Sequence, residues 1–375
     1  MESLLHEIAL LRQGVPLVID KRNRNRYRVV ASEADGTRIA YWFSVPVYNE
    51  KTRRAVDLRF RQQGGEISAT GSNAAMTITD SVRMENREGV CVFSLSGTAR
   101  CISGRAAVAG AERLTPTTNG VTVLRRCRRE EPYRFFLTVS QPFPGVRASD
   151  RCFALMSGEF RPFVSVSCVG TTDDGGDVIA PAKLSYQRCS DRRFLLTVTP
   201  TSPAGTAVLA EINLYEPKLI QDTTVESANP KANNAFGSMA FIGTTKEYGD
   251  QWLYARPDSS RLTEMNDRKI LRAVLHLPRR SRGAVPLCAY ALSSRFCSFG
   301  STWQNKVAET ALITEGVVSE RYVDLDLTSL LATPRGRWQP GDGFLLRTRE
   351  KNAGFAAVAT GDHYETPQIL EIHYK

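Results

Sequence analysis

From about residue 15 onward the chain consists of short β-branched or aromatic runs separated by Gly, Asn and Asp, spaced roughly ten residues apart. Ile39-Ala-Tyr-Trp-Phe-Ser-Val45, Ala55-Val-Asp-Leu-Arg-Phe60, Ala75-Met-Thr-Ile-Thr79 and Val90-Cys-Val-Phe-Ser-Leu95 are examples. In Val56-Asp-Leu-Arg-Phe60 apolar and charged residues alternate, as a strand with one wet face requires. Helical periodicity is nearly absent after residue 14. This rhythm predicts an all-β protein of two or three packed β-sandwich domains, jelly-roll or immunoglobulin-like. The exception is the start, where Leu4, Leu5, Ile8 and Leu11 lay an apolar stripe on a short helix. That stripe is the candidate assembly helix.

Four segments are expected: a helical arm at 1–14, a β lobe at 15–130, a second β lobe at 131–217, and a sandwich at 218–375. The two lobes could equally form one domain, with Arg126-Cys-Arg-Arg-Glu-Glu-Pro132 as their separator. Tyr133-Arg-Phe-Phe-Leu-Thr-Val139 is echoed by Arg192-Arg-Phe-Leu-Leu-Thr-Val198, a similarity that two strands under the same in/out rule produce without duplication. No apolar run approaches the roughly 20 residues of a membrane helix. The start lacks a basic n-region and a small-residue cleavage site, which reads as cytoplasmic synthesis without a signal peptide. A cell-surface, spore-surface or particle-associated destination stays open.

The net charge is +10, and the first 215 residues hold 29 Lys/Arg against 21 Asp/Glu. The excess concentrates in Lys21-Arg22-Asn-Arg24-Asn-Arg26-Tyr-Arg28 and Arg125-Arg126-Cys-Arg128-Arg129. Without interleaved aromatics beyond Tyr27, these runs read as a solvated or assembly face in preference to a nucleic-acid platform. Eight cysteines stand at least nine positions apart with no CxxC pair, so they read as reduced core residues. A Cys288–Cys297 hairpin bridge is the one alternative. The four histidines show no HxH or HExxH spacing, and there is no Gly-x-Ser-x-Gly elbow or phosphate loop. Catalytic residues, metal ligands and cofactor-binding residues are therefore expected to be absent. Asp173-Asp174-Gly-Gly-Asp177 reads as a polar hairpin turn in preference to a Ca²⁺ loop.

The stretch 219–374 carries a motif order of its own. It opens with Gln221-Asp222-Thr-Thr-Val-Glu226 and the turn Asn233-Asn234…Gly237. Lys269-Ile-Leu-Arg272-Ala-Val-Leu-His-Leu-Pro278, Leu287-Cys-Ala-Tyr-Ala-Leu292, Ser301-Thr-Trp303-Gln-Asn305 and Asp324-Leu-Asp326-Leu-Thr328 follow. It closes with Thr366-Pro367-Gln-Ile-Leu-Glu-Ile-His-Tyr374. This order resembles the DNRLRE family of β-sandwich modules, some of which bind carbohydrate. The family's Trp-Ser-Glu is replaced by Arg295-Phe-Cys-Ser-Phe299. The resemblance implies a scaffold that binds, displays or assembles. Tyr248, Trp252, Tyr254, Trp303 and Trp338 are the aromatics that could stack on a glycan or fill an interface, with Tyr248, Trp252 and Tyr254 on one strand face. The first expectation is a non-enzymatic subunit of a surface, spore-coat, appendage or virion-like assembly, with homo-oligomeric or other structural partners. The alternative is a carbohydrate-binding protein. A polysaccharide-acting enzyme would require a cleft of clustered carboxylates within residues 30–215.

Overall fold

A computed structural model describes residues 6–12, 18–49, 54–127, 131–158, 161–174, 176–283, 285–339, 341–351 and 354–375. Strands dominate, as the short alternating runs predicted. The helices among the described residues are His6–Leu11, Thr328–Leu331 and two 3₁₀ turns.

The chain divides into two units, but not at the expected boundaries. The terminal unit joins the first 57 residues to Lys218–Ala235 and Ala240–Lys375; the inserted unit is Leu58–Pro217 with Phe236–Met239. The reason for the first correction is strand pairing. Arg38–Phe43 runs antiparallel to Ile369–Tyr374, from Arg38 opposite Tyr374 to Phe43 opposite Ile369. Residues from opposite ends of the sequence thus share a ladder, and 15–57 cannot belong to an N-terminal lobe.

One sheet of the terminal unit runs in the order Val18–Ile19, Arg28–Ser32, Arg38–Phe43, Ile369–Tyr374, Ile270–Pro278, Tyr322–Asp326, Val317–Val318. The other runs Glu309–Glu315, Leu287–Leu292, Phe344–Thr348, Gly249–Pro257, Met239–Thr245, Phe355–Ala359, with Ile220–Glu226 also on Gly249–Pro257. Alternate residues turn inward between them, as the period of two dictates. Trp42, Leu253, Leu275, Leu325, Leu346 and Ile372 meet in that core.

The outer face of the first sheet is also covered. Ile8 is 4% exposed and packs with Val29, Ile39, Tyr41, Phe43 and Ile369, with Leu11 partly buried beside it. Arg12 Nη2 donates to Glu33 Oε1 at 2.9 Å. Glu7 accepts from Arg321 Nη2 at 2.7 and 3.0 Å and from the Tyr322 hydroxyl at 2.5 Å. The helix expected to seek a neighbour therefore docks on its own unit, because its apolar stripe finds a complementary sheet face there. Leu4 and Leu5 lie outside the described residues. The basic run is likewise engaged: Arg24, Arg26 and Arg28 stack over Tyr48, Tyr27 and Trp42, and Arg28 also pairs with Glu264. Lys21 and Arg22 stay exposed.

The inserted unit has one core, in keeping with the one-domain alternative for the two expected lobes. Its larger sheet contains Gly120–Arg126, and its second sheet contains Tyr133–Val139. Residues 128–130 of the segment expected to separate two lobes lie outside the described residues. Phe93, Phe135, Phe153, Phe194, Val121 and Ile212 share the core. The two echoing segments prove to be neighbours, Tyr133 opposite Val198 and Phe135 opposite Leu196, with alternate residues buried on both. Asp173 and Asp177 close a hairpin turn, where Asp177 N donates to Asp173 Oδ1 at 2.9 Å.

All eight cysteines are free thiols. Cys91, Cys152, Cys168 and Cys288 are buried, and burial pushes the Cys168 thiol up to about 12. Cys189 and Cys297 are exposed, which corrects the expectation that all are core residues. Cys189 lies on the exposed end of the strand Ala182–Ser190, and Cys297 in the loop just before residues 298–300.

Candidate functional site

The strand Gly249–Pro257 sorts its side chains by parity. Leu253 and Ala255 enter the main core, while Trp252 and Tyr254 point to the other face of the sheet. There Tyr254 joins Val225, Leu292, Phe296 and Leu345 in a second small core. Tyr248 does not share this face: it precedes the strand and is fully buried. Trp338 is 8% exposed and belongs to the main core. Three of the five singled-out aromatics are therefore structural, because each sandwich must fill its interior with large side chains.

Trp252 and Trp303 are brought together. Their ring centroids lie 4.6 Å apart at 50°, and both are half-buried. A set of side-chain bonds fixes Trp303. Asn233 Nδ2 donates to Ser298 O at 2.8 Å and Ser301 O at 2.7 Å, tying down the loop before it. Asn305 Oδ1 accepts from Thr302 N at 2.7 Å, and Asn305 Nδ2 donates to Gly300 O at 3.0 Å. The Thr-Trp-Gln-Asn motif is thus a self-bonded turn that aims an indole. Asn233 contributes to the turn through its side-chain amide.

Lys306 lies over both rings, its Nζ 4.3 Å from the Trp303 centroid and 5.5 Å from that of Trp252. The same Nζ donates to Trp303 O at 3.1 Å, while Tyr254 OH donates to Val307 O at 2.7 Å. Nearby in the second small core, half-buried Tyr290 packs against it and carries Arg347 at 4.3 Å. Arg347 forks onto Glu309 through Nε at 2.9 Å and Nη2 at 2.8 Å. The patch offers two partly exposed aromatic surfaces rimmed by a cation and a bidentate ion pair. It can stack and donate hydrogen bonds. Its carboxylate, Glu309, is engaged by Arg347.

A second polar array was missed by sequence reasoning. His276 Nδ1 donates to Asp324 Oδ1 at 2.8 Å, and its Nε2 lies 3.5 Å from Glu371 Oε2. His373 Nε2 donates to Glu371 Oε1 at 2.5 Å. The three strands carrying them are adjacent, so residues roughly 50 and 100 positions apart converge. Burial lowers the basicity of His276, but the Asp324 and Glu371 carboxylates outweigh it and the net shift is upward. Burial also opposes ionisation of Glu371, yet both histidines hold its carboxyl well below the usual range. One signal was available. His276, Asp324, Glu371 and His373 all sit at outward positions of strands otherwise filled with aliphatic residues.

In the inserted unit a cleft of about 660 Å³ is lined in part by Glu112, Asp173 and Asp174. Glu112 accepts from Ser96 N at 2.8 Å and Ser96 Oγ at 2.7 Å, and Asp173 caps its own turn. Those bonds commit both carboxylates to holding loops. No family model matches the chain, and neither does any curated protein sequence.

Proposed function

We propose that the chain is a non-enzymatic structural protein whose copies associate edge to edge through the first sheet of the terminal unit. The carrying observation is that this sheet ends on both sides in a short strand with exposed apolar residues. Val18 is 75% exposed at one edge and Val317 68% at the other. An edge strand has unpaired N–H and C=O groups, and such groups accept another strand unless charge or a bulge blocks it. Exposed Lys21 and Arg22 follow the first edge, while exposed Glu315, which pairs with Arg349, and exposed Glu320 flank the second. Unlike charges at the two edges favour head-to-tail pairing and disfavour like edges meeting. A surface, spore-coat or particle layer is the setting in which such a chain would serve, with other copies as its partners. Among the described residues no helix is long and apolar enough to cross a membrane.

The DNRLRE resemblance belongs to the same proposal. Strands at Ile220–Glu226, Ile270–Pro278, Leu287–Leu292, Tyr322–Asp326 and Ile369–Tyr374 agree with the motif order. The sheet in which the last of them lies also takes strands from the first 57 residues, an addition to that order.

Val317→Lys places a charge on an exposed edge position without touching the core. It is expected to leave far-UV circular dichroism unchanged and to shift the sedimentation coefficient to that of the monomer.

The indole pair favours a second reading, carbohydrate binding at Trp252 and Trp303. In affinity electrophoresis through gels containing soluble polysaccharides, that reading predicts retardation of the wild type and its loss in Trp303→Ala. Equal mobility with and without every polysaccharide would count against it.

A further inference from the structure

A buried lysine lies between two buried carboxylates in the terminal unit. Lys218, Asp222 and Asp362 are 6%, 1% and 2% exposed. Lys218 Nζ donates to Ala235 O at 2.5 Å and lies 3.2 Å from Asp222 Oδ1. The same nitrogen pairs with Asp362 Oδ2. Asp222 Oδ2 accepts the Gly361 N–H at 2.6 Å, which holds that carboxyl in place. Glycine at 361 is what lets the groups meet: a Cβ there would stand 2.5 Å from Ile220 O, 3.2 Å from Asp222 Oδ2 and 3.4 Å from Lys218 Cδ. Leu219, Ile220 and Tyr364, within two positions of these residues in sequence, are all buried, as is Ala235.

Two features make this more than an ion pair. Removing charges from water is costly, so an enclosed ammonium and carboxylate are poised to exchange a proton and become neutral amine and acid. A neutral amine held against a neutral carboxylic acid, with a second carboxyl beside both, is the arrangement that amide formation needs. Burial also pushes the Asp222 carboxyl above its ordinary value, against the pull of Lys218 and the Gly361 N–H, which suits it to carry a proton.

We propose that Lys218 and Asp362 become joined by an intramolecular amide bond, with Asp222 as the proton carrier. The Lys218 Nζ lone pair adds to Asp362 Cγ while protonated Asp222 gives its proton to one Asp362 oxygen. The tetrahedral centre then expels that oxygen as water as the nitrogen returns a proton to Asp222. One C–N bond forms, one C–O bond breaks, one water leaves, and Asp222 ends as it began. No oxidant or co-reactant is needed. The bond would tie the segment leading into Ile220–Glu226 to the loop after Phe355–Ala359, and it forms or fails whether or not copies associate.

The test is peptide mass mapping of the full-length protein after denaturation. The expected result is a branched peptide joining the segments that contain Lys218 and Asp362, lighter by one water than their sum. Lys218→Arg keeps the positive charge and should yield only separate peptides. Asp222→Asn should keep the β spectrum yet leave the two segments unlinked. Separate peptides at their sequence masses in the wild type would overturn the bond, a result that does not depend on any variant folding. A linked peptide in Asp222→Asn would overturn the role given to Asp222.

Discussion

A fragment spanning Lys218 to Lys375 is expected not to fold on its own. Every motif of the C-terminal resemblance lies inside that fragment, so it is the natural piece to cut. The structure shows what it would lack. Ile369–Tyr374 would lose the ladder it makes with Arg38–Phe43, and the core would lose Val30, Ala40 and Trp42. Burying a large apolar side chain is worth about 1.5–3 kcal/mol, so the loss totals roughly 5 kcal/mol before the ladder is counted. That is comparable to the whole stability of a typical domain, about 5–15 kcal/mol. The fragment should show a disordered far-UV spectrum or aggregate through its newly exposed edge. Adding residues 18–57 as a separate chain should restore β structure. A cooperative thermal transition in the fragment alone, matching the full-length protein, would refute the assignment of the N-terminal strands to this unit.

Glu371→Gln is expected to destabilise the protein by about 3 kcal/mol near pH 6, because it leaves buried His276 and half-buried His373 short of their shared anion. Glu371 is 7% exposed and His276 6%, so water does little to replace the lost partner. The pH dependence follows from the shifts. His276 has its pKa raised above 6.5, so its contribution is complete below that value and fades as pH rises through the folded pKa. Glu371 is held below 4.5, so its contribution is complete above that value and fades as pH falls through its lowered pKa. Wild-type stability from this array should therefore be greatest between about pH 4.5 and 6.5 and should decline as pH rises through the raised pKa of His276. In Glu371→Gln that decline should shrink, since Asp324 alone remains to favour the charged imidazole. Urea midpoints at pH 5, 6, 7 and 8, compared between the two proteins, measure this directly. Parallel curves would show that the array does not couple protonation to folding.

The all-β class was legible because alternation is local. Arg83 and Glu85 sit outward while Val82 and Met84 sit inward, and that order needs no knowledge of the partner strand. The domain boundaries were not legible, because pairing of Arg38–Phe43 with Ile369–Tyr374 is a contact across nearly the whole chain. Nothing in either segment names its partner. Of the aromatics, Trp252 and Tyr254 were read onto the same face from spacing alone, and they share it. Tyr248 fitted the same alternation but lies beyond the strand's first residue, Gly249, whose φ of 64° turns the backbone. The indole pair itself depends on a loop held by Asn233 and Asn305, whose amide bonds leave only a faint mark in sequence. The helix was read as amphipathic, and its apolar stripe is covered within its own unit. An apolar stripe says that something must cover it, and here Tyr41, Ile39 and Ile369 of the same unit do so.

Edge-to-edge association is the central claim, and sedimentation velocity over a wide range of protein concentration tests it most directly. The full-length protein should populate dimers and longer head-to-tail species as concentration rises, more so at low salt, where the unlike edges attract without screening. Val317→Lys and Val18→Lys should each remain monomeric at the same concentrations. A wild-type protein that sediments as a monomer at the highest concentration, indistinguishable from both variants, would contradict it.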